Sequence, residues 1–258
     1  MIDIHAHILP GVDDGPADMA GSVAMGKIAD REGIEGIIST SHSKEAAALG
    51  REDMQARLDA VRAAWQDAGL TLRLELGVEI FLQPDTVDDL QAGRLWTLVE
   101  SRYVLVELPY QPWPLYAEDA LFGLQVAGYI PILAHPERYT AIQADPAKMY
   151  TLAARGVLGQ VTAMALTGEQ GPGTKRCAET LVRHNLVQFF ATDAHRADWR
   201  SPRVSGALTV AEDLVGGEAV RAMTETNPAR ILSDEEIPLD PTQPTQRKGL
   251  FGWTSRRP

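Results

Sequence analysis

Cysteine is almost absent from this 258-residue sequence, which contains only Cys177. A single cysteine excludes an internal disulfide, and such scarcity is typical of proteins from a reducing compartment. Long apolar runs are also missing, since none approaches the ~20 residues of a membrane-spanning helix. The first residues lack the charged-then-apolar pattern of a signal segment. We therefore expect a soluble, cytoplasmic protein without a transmembrane segment.

Basic residues are in deficit, with 24 lysines and arginines against 35 acidic residues and a formal net charge of -11. Such a surface repels phosphate backbones, which disfavours non-specific nucleic-acid binding. A local metal cluster would still attract phosphate. The apolar fraction of 45% is ordinary for a globular protein and is enough to fill a core.

Strand-like and helix-like patterns alternate along the chain. Apolar strand patterns cover residues 2–4, 36–40, 70–80, 103–107, 129–134, 157–161 and 186–192. Amphipathic helical patterns lie between most of them. This rhythm predicts an α/β fold in which parallel strands form a barrel with its site at one mouth.

Histidine and carboxylate residues stand at the ends of these strand patterns. His5 and His7 lie two residues apart, so both imidazoles point to one face of a strand. The further candidates are Asp13 and Asp14 in the following loop, His42, Glu79, Glu107, His135, Asp193 and His195. Chance placement is the alternative for any single pair, but five of the six histidines occupy such positions. We expect these side chains to converge at the carboxyl ends of the strands.

Imidazole and carboxylate groups without thiolate suit Mn, Fe or Zn. The candidates outnumber the three or four protein ligands of one catalytic ion, which predicts two or three divalent ions. Such ions supply hydroxide at neutral pH, so metal-assisted hydrolysis of a phosphate ester is the expected reaction class. Arg138 and Arg200 lie close to candidate ligands in sequence and match phosphate geometry, although ordinary surface ion pairing explains their spacing equally well.

Several segments together resemble one known family. They are residues 1–7 (MIDIHAH), 12–16 (VDDGP), 39–42 (STSH), 77–80 (GVEI), 101–107 (SRYVLVE), 134–139 (AHPERY), 192–195 (TDAH) and 227–232 (NPARIL). This set resembles the polymerase and histidinol phosphatase (PHP) superfamily. Within that superfamily it resembles the bacterial protein-tyrosine phosphatases of capsule and exopolysaccharide operons.

The resemblance implies a PHP fold over residues 1–237, which is a distorted, seven-stranded, TIM-like (β/α)7 barrel around three metal ions, often Mn²⁺. The family pattern assigns His5, His7, Glu79 and Asp193 to one ion, Glu107 and His135 with a bridging Glu79 to a second, and Asp14, His42 and His195 to a third. It also assigns phosphate binding to Arg138 and Arg200. The implied activity is hydrolysis of protein phosphotyrosine by a metal-bridging hydroxide, with a bacterial tyrosine autokinase as the partner and polysaccharide synthesis as the regulated process.

Two alternatives remain open from the sequence. One is a small-molecule phosphatase, such as a histidinol-phosphate phosphatase, and the other is a non-catalytic metal-binding module. Met164 and Ala165 also depart from the resembled family, where many members have a small residue followed by serine. This departure concerns substrate preference, because it touches no candidate ligand.

Cys177 and Arg183 have the Cys-x5-Arg spacing of thiol-based tyrosine phosphatases. That chemistry needs a loop whose N–H groups surround the phosphate, whereas the residues between them favour a helix. We therefore predict that Cys177 is a small buried residue without a catalytic role.

The last segment, residues 238–258, is rich in proline and is expected to be an irregular tail. It contains four basic residues and one acidic residue, a formal charge of +3. Its apolar residues within the basic cluster are Leu250, Phe251 and Trp253. A solvated tail is one interpretation, and contact with an acidic partner or a membrane surface is the other.

Overall fold

The computed structural model describes residues 1–244 of the chain. Its strands are β1 (Ile2–Ala6), β2 (Gly36–Ser39), β3 (Arg73–Leu76), β4 (Glu79–Phe81), β5 (Tyr103–Glu107), β6 (Ile130–Ala134), β7 (Leu158–Thr162) and β8 (Phe189–Ala191). Its α-helices are α1 (Met19–Arg31), α2 (Ser43–Leu49), α3 (Arg51–Asp67), α4 (Thr86–Gln91), α5 (Ala117–Val126), α6 (Thr140–Ala144), α7 (Ala147–Ala153), α8 (Ala163–Thr167), α9 (Pro172–Arg183), α10 (Ser205–Val215), α11 (Gly217–Arg221) and α12 (Asn227–Leu232). Short 3-10 turns at Leu98–Glu100 and Pro136–Arg138 and a π-helical turn at Ala222–Thr226 complete the regular structure of this range.

The strands form two parallel sheets, one in the order β1-β2-β3 and one in the order β4-β5-β6-β7-β8. Main-chain contacts join the sheets at both edges. Ala6 forms a parallel bridge with Ala194 after β8, and His42 forms one with Glu79 at the start of β4. The α/β class with parallel strands is confirmed, whereas the seven-stranded (β/α)7 barrel stays a prediction, because the strands pair as two linked sheets.

The predicted strand over residues 70–80 is two strands, β3 and β4, because the segment changes its pairing partner. β3 pairs with β2, and the backbone N–H groups of Gly77 and Glu79 then donate to Ser39 and Ser41. β4 continues along β5 instead. A Cβ at position 77 would lie 2.7 Å from the Leu98 side chain and 2.9 Å from the Ile38 side chain, so a residue larger than glycine would force these buried side chains to shift.

Alternate residues of the strands enter two separate apolar clusters. Val104 and Val106 of β5 pack in the cluster that contains the surrounding helices. Tyr103 and Leu105 point the other way, into a second cluster that includes Ile231 of α12. Both faces of the sheets are therefore buried, which is typical of parallel α/β proteins. In the described residues, a functional site is therefore expected in the loops beyond the strand ends and not on the faces of the sheets.

The helical predictions are largely confirmed. Helices α1, α3, α5 and α9 lie between the predicted strand patterns, where the amphipathic patterns are expected to form helices. Cys177 lies buried on α9, where burial raises its thiol pKa to about 12, as expected for a residue without a nucleophilic role. Within the described range, none of the helices has the length and apolar character needed to cross a membrane.

The start of the predicted tail contacts the body of the protein. The Thr242 N–H donates to the His184 carbonyl at 2.9 Å, and the Asn185 side chain donates to the Asp240 carbonyl at 3.1 Å. Leu239 packs against the second apolar cluster, which contains Tyr103 and Leu105. The basic and aromatic residues of the tail, from position 245 onward, lie outside the described residues, so the prediction of a partner or membrane contact stays a prediction.

Candidate metal centre

Glu79 is the central carboxylate of the site. It begins β4 and is 1% exposed. Its Oε1 lies 3.2 Å from His5 Nε2 and 3.0 Å from His135 Nε2, while its Oε2 lies 3.4 Å from His7 Nε2 and 3.0 Å from His42 Nδ1. One carboxylate thus contacts four imidazoles that come from three different strand ends.

The histidine rings form a row across the strand ends. The ring centroids of His135 and His5 are 5.7 Å apart, those of His5 and His7 are 5.6 Å apart, and those of His7 and His195 are 3.9 Å apart. His42 lies beside this row, with its ring 4.6 Å from that of His7. His135 has a left-handed backbone with φ of 36° at the end of β6. A positive φ is uncommon for residues other than glycine, and residues with such backbone angles cluster at functional sites.

Asp14 and Glu107 complete the set at its more exposed side. Asp14 Oδ1 lies 3.4 Å from His42 Nε2 and 3.2 Å from His195 Nε2. Glu107 Oε1 lies 3.4 Å from His42 Nδ1, and its Oε2 lies 4.0 Å from His135 Nε2. The nine side chains that the family pattern assigns as ligands therefore meet at one place.

Asp193 links the cluster to both nominated arginines. Its Oδ1 lies 3.4 Å from His5 Nε2 and 3.6 Å from His7 Nε2. Its Oδ2 accepts from Arg138 Nη1 at 2.6 Å and from Arg200 Nη2. Two guanidinium groups from different segments thus reach the same edge of the cluster, and their role in phosphate binding stays a prediction.

Groups of potential ligand atoms within the cluster differ in part from the family-based assignment. Atoms within 4.8 Å of one another come from three sets: His7, Asp14, His42 and His195; His5, His7 and Asp193; and His42, Glu79 and Glu107. The expected set of Asp14, His42 and His195 gains His7. The expected pair of Glu107 and His135 is looser, because His42 is closer to Glu107 than His135 is. The assignment of individual ligands to individual ions stays a prediction.

Unpartnered polar atoms show that the donor set fits divalent cations. Buried Nε2 atoms of His5, His7 and His195 and the Oε2 atom of Glu79 make no hydrogen bond in the described chain. Buried polar atoms of proteins are normally hydrogen-bonded. Here the unpartnered atoms face one another, and a cation bound between them would satisfy them. Imidazole nitrogen and carboxylate oxygen are suitable ligands for such a cation.

The cluster also shifts the pKa values of its members. Burial lowers the pKa of an imidazole, yet the carboxylate partners of His7 outweigh burial and raise its pKa to about 9. The partners of His42 likewise outweigh burial and raise its pKa to about 11. Burial and the neighbouring His7 lower the pKa of His195 to about 3. Burial raises the pKa of Glu79, but the surrounding histidines hold it well below its usual range. A cation that binds His7 and His42 at neutral pH must therefore displace protons.

Orienting groups on the outer side of the histidines were only partly anticipated. His5 Nδ1 is hydrogen-bonded to Gln160 Oε1 at 2.8 Å, and His7 Nδ1 to Asp13 Oδ2 at 2.8 Å. Asp13 was nominated as an oxygen ligand, but it lies behind His7 rather than among the ligand atoms. The sequence patterns do not point to Gln160, although an amide side chain within the buried strand β7 was the available signal. Such partners fix the ring orientation of metal-binding histidines.

Fold and site together define a class: a parallel α/β protein whose strand ends carry a cluster of histidines and carboxylates suited to divalent ions, with two arginines beside it. Comparison with known proteins narrows this class. Residues 1–233 match the model of a family described as capsular polysaccharide synthesis, CpsB/CapC. The chain belongs to the CpsB/CapC family.

Individual relatives cover nearly the whole chain. The tyrosine-protein phosphatase YwqE of Bacillus subtilis is 37% identical over 98% of this chain and 100% of its own length. The tyrosine-protein phosphatase CpsB of Streptococcus pneumoniae is 28% identical over 92% of this chain. A crystal structure from work on YwqE and CpsB as metal-dependent tyrosine phosphatases superimposes with a TM-score of 0.90 at 34% identity, over 96% of this chain and 100% of that chain.

Proposed function

We propose that the protein is a metal-dependent protein-tyrosine phosphatase that acts in the control of capsular or exopolysaccharide synthesis. One observation carries the proposal: a buried cluster of metal-type ligands shares Asp193 with two arginines. The first feature suits hydrolysis, and the second suits a dianionic phosphate ester. The family of the chain and the names of its relatives support the same reaction.

We further propose that two or three divalent ions, with Mn²⁺ preferred over Fe or Zn, bind the nine clustered side chains. These ligands are His5, His7, Asp14, His42, Glu79, Glu107, His135, Asp193 and His195. Bound ions of this kind supply a hydroxide nucleophile at neutral pH and neutralise charge on the phosphoryl oxygens. Glu79 would contribute to more than one ion, because its two oxygens face different histidines.

Arg138 and Arg200 orient the phosphoryl group. Both guanidinium groups are held by Asp193, so they are already assembled at one point. Arg138 also donates to Thr162 Oγ1 at 3.2 Å, which restricts its movement. A phosphate that binds beside Asp193 would contact two guanidinium groups that are already positioned. Its binding would therefore cost little conformational entropy of the arginine side chains.

Phosphotyrosine suits a site with this inventory of groups. The leaving phenol has a pKa near ~10, so its departure needs less help from a general acid than the departure of an alkoxide does. The natural substrate is inferred to be a tyrosine-phosphorylated protein, specifically a bacterial tyrosine autokinase. Cytoplasmic location stays a prediction, as does the boundary between a phosphatase domain over residues 1–237 and the tail.

The two linked sheets are inferred to be one distorted barrel of seven strands, with β3 and β4 counted as successive parts of one strand. Main-chain bridges at both sheet edges and an inner apolar cluster support this interpretation. It explains why side chains from β1, β4, β5, β6 and β8 all reach one mouth.

Metal removal and restoration test the proposed function. The protein is treated with a chelator, its metal content is measured, and turnover of a phosphotyrosine peptide and of histidinol phosphate is followed before and after Mn²⁺ is restored. We expect peptide turnover to disappear with the metal and to return with Mn²⁺. Turnover of histidinol phosphate alone would contradict the proposal. The Cys177→Ser variant is the matched control, and it should keep full activity because the thiol is buried.

A further inference from the structure

Two exposed aromatic residues stand at the two ends of the histidine row. The Tyr110 ring lies 5.8 Å from the ring of His135, and the Trp199 ring lies 6.4 Å from the ring of His195. Both contacts are edge-on. Large apolar rings are normally buried, yet Tyr110 is 47% exposed and Trp199 is 56% exposed. The exposed faces are therefore available to a ligand at the rim of the site.

Each aromatic residue lies beside one of the two arginines. The guanidinium carbon of Arg200 lies 5.5 Å from the ring centroid of Trp199. Tyr110 lies close enough to Arg138 for the guanidinium charge to oppose the rise that burial causes in the tyrosine pKa. A phosphoryl group held between Arg138 and Arg200 thus has an aromatic side chain beside each of its two anchors.

Hydrogen bonds to the backbone close the loops that carry the two rings. The His195 N–H donates to the Arg200 carbonyl at 2.8 Å, which closes the loop that carries Trp199. The Tyr110 carbonyl accepts from the N–H and from the hydroxyl of Thr140, both at 3.2 Å. Loops closed in this way lose little conformational entropy when a ligand binds at the rim.

We propose that Tyr110 and Trp199, here called the rim aromatics, contact the phenol ring of phosphotyrosine and give the site its preference for aryl over alkyl phosphates. This inference rests on the proposed function. The metal cluster and the arginines recognise only the phosphoryl group, which phosphotyrosine shares with every phosphate monoester. Ring selectivity therefore needs apolar groups outside them, and edge-on or stacked aromatic contacts supply it.

Binding of non-hydrolysable probes tests the inference without turnover. Phenylphosphonate and methylphosphonate share the anionic head and differ in the ring, and their affinities for the Mn²⁺-loaded protein are measured by calorimetry. We expect Trp199→Ala and Tyr110→Leu each to reduce the preference for phenylphosphonate by about 3- to 10-fold, while methylphosphonate affinity stays within about twofold. Trp199→Phe and Tyr110→Phe keep a ring and should keep most of the preference.

A remote aromatic residue provides the matched control. Phe122 on α5 is 64% exposed and is separate from the cluster contacts, so Phe122→Ala should leave both affinities unchanged. An unchanged preference in the rim variants would overturn the inference, and so would an equal loss of affinity for both probes, which would indicate a general disturbance of the arginines. Failure of the proposed function appears elsewhere, as absence of peptide turnover by the metal-loaded wild type.

Discussion

Charged groups are used in opposite ways at the two ends of the parallel strands. At the amino end, Arg102 precedes β5 and pairs with Asp234 after α12 at 3.1 Å, and both side chains are 43% exposed. At the carboxyl end, His5 and His135 are buried and leave polar atoms without hydrogen bonds. The charged side chains of this amino-end pair are paired and exposed to water, whereas the carboxyl end brings together buried polar groups without partners. Such a concentration destabilises an isolated chain and is retained where a ligand completes it.

Loss of the central carboxylate should break this contrast most strongly. Glu79→Gln removes the charge that faces four imidazoles, so we expect metal content to fall and kcat/KM for a phosphotyrosine peptide to drop by about 10³-fold. Metal analysis and steady-state kinetics measure the two effects. Glu75→Gln is the control on the preceding strand, where the carboxylate pairs with the partly exposed Arg62 and Arg73. A Glu79→Gln protein that retains metal and activity would refute the central role of this residue.

Proton release on metal binding should sharpen the contrast next. In the metal-free chain the pKa of His7 is raised to about 9 and that of His42 to about 11. Both imidazoles are therefore protonated at pH 7, and a cation that binds them displaces protons, so apparent affinity must rise with pH below about 9. With two protons displaced, the rise is about 100-fold per pH unit. Calorimetry of Mn²⁺ binding in buffers of different ionisation enthalpy counts the protons, and a count of zero at pH 7 would contradict the prediction.

Much of the site was visible in the sequence because buried strands end in recognisable places. Apolar runs locate β5 and β6, and the first polar residue beyond each run, Glu107 or His135, falls at the mouth of a parallel fold. The α/β class follows from the same pattern. Those inferences use only the direction of strands, which local sequence encodes well.

The remaining features depend on loop conformation, which residue spacing does not encode. Asp13 turns back behind His7 because a loop folds over the end of β1, and Tyr110 and Trp199 reach the rim through loops of irregular shape. The split of residues 70–80 into two strands depends on which neighbour each half pairs with. Alternation of apolar residues is identical before and after such an exchange, so it cannot reveal the break.

Removal of an orienting group should give a smaller effect than removal of a ligand. Asp13 Oδ2 accepts from His7 Nδ1 at 2.8 Å and from the His42 N–H at 3.2 Å. We expect Asp13→Asn to weaken Mn²⁺ affinity by about 10- to 100-fold, because the neutral amide no longer favours the required ring orientation and charge. Competition with a chelating dye measures the affinity. Asp59→Asn on α3 is the control, since that carboxylate pairs with Arg62 at the surface; equal effects in both variants would reject the orienting role.

The smallest effect should come from the amino end of the strands. Arg102→Ala removes an exposed ion pair with Asp234 and a hydrogen bond to its carbonyl. Solvent screens such pairs, so we expect the free energy of unfolding in urea to fall by only about 0.5–1 kcal/mol. Activity should be unaffected, because this pair belongs to the end of the fold remote from the metal-type ligands. A large loss of kcat/KM in Arg102→Ala with normal stability would show that the two ends of the strands are coupled. It would contradict the view that the charges at the amino end affect only stability.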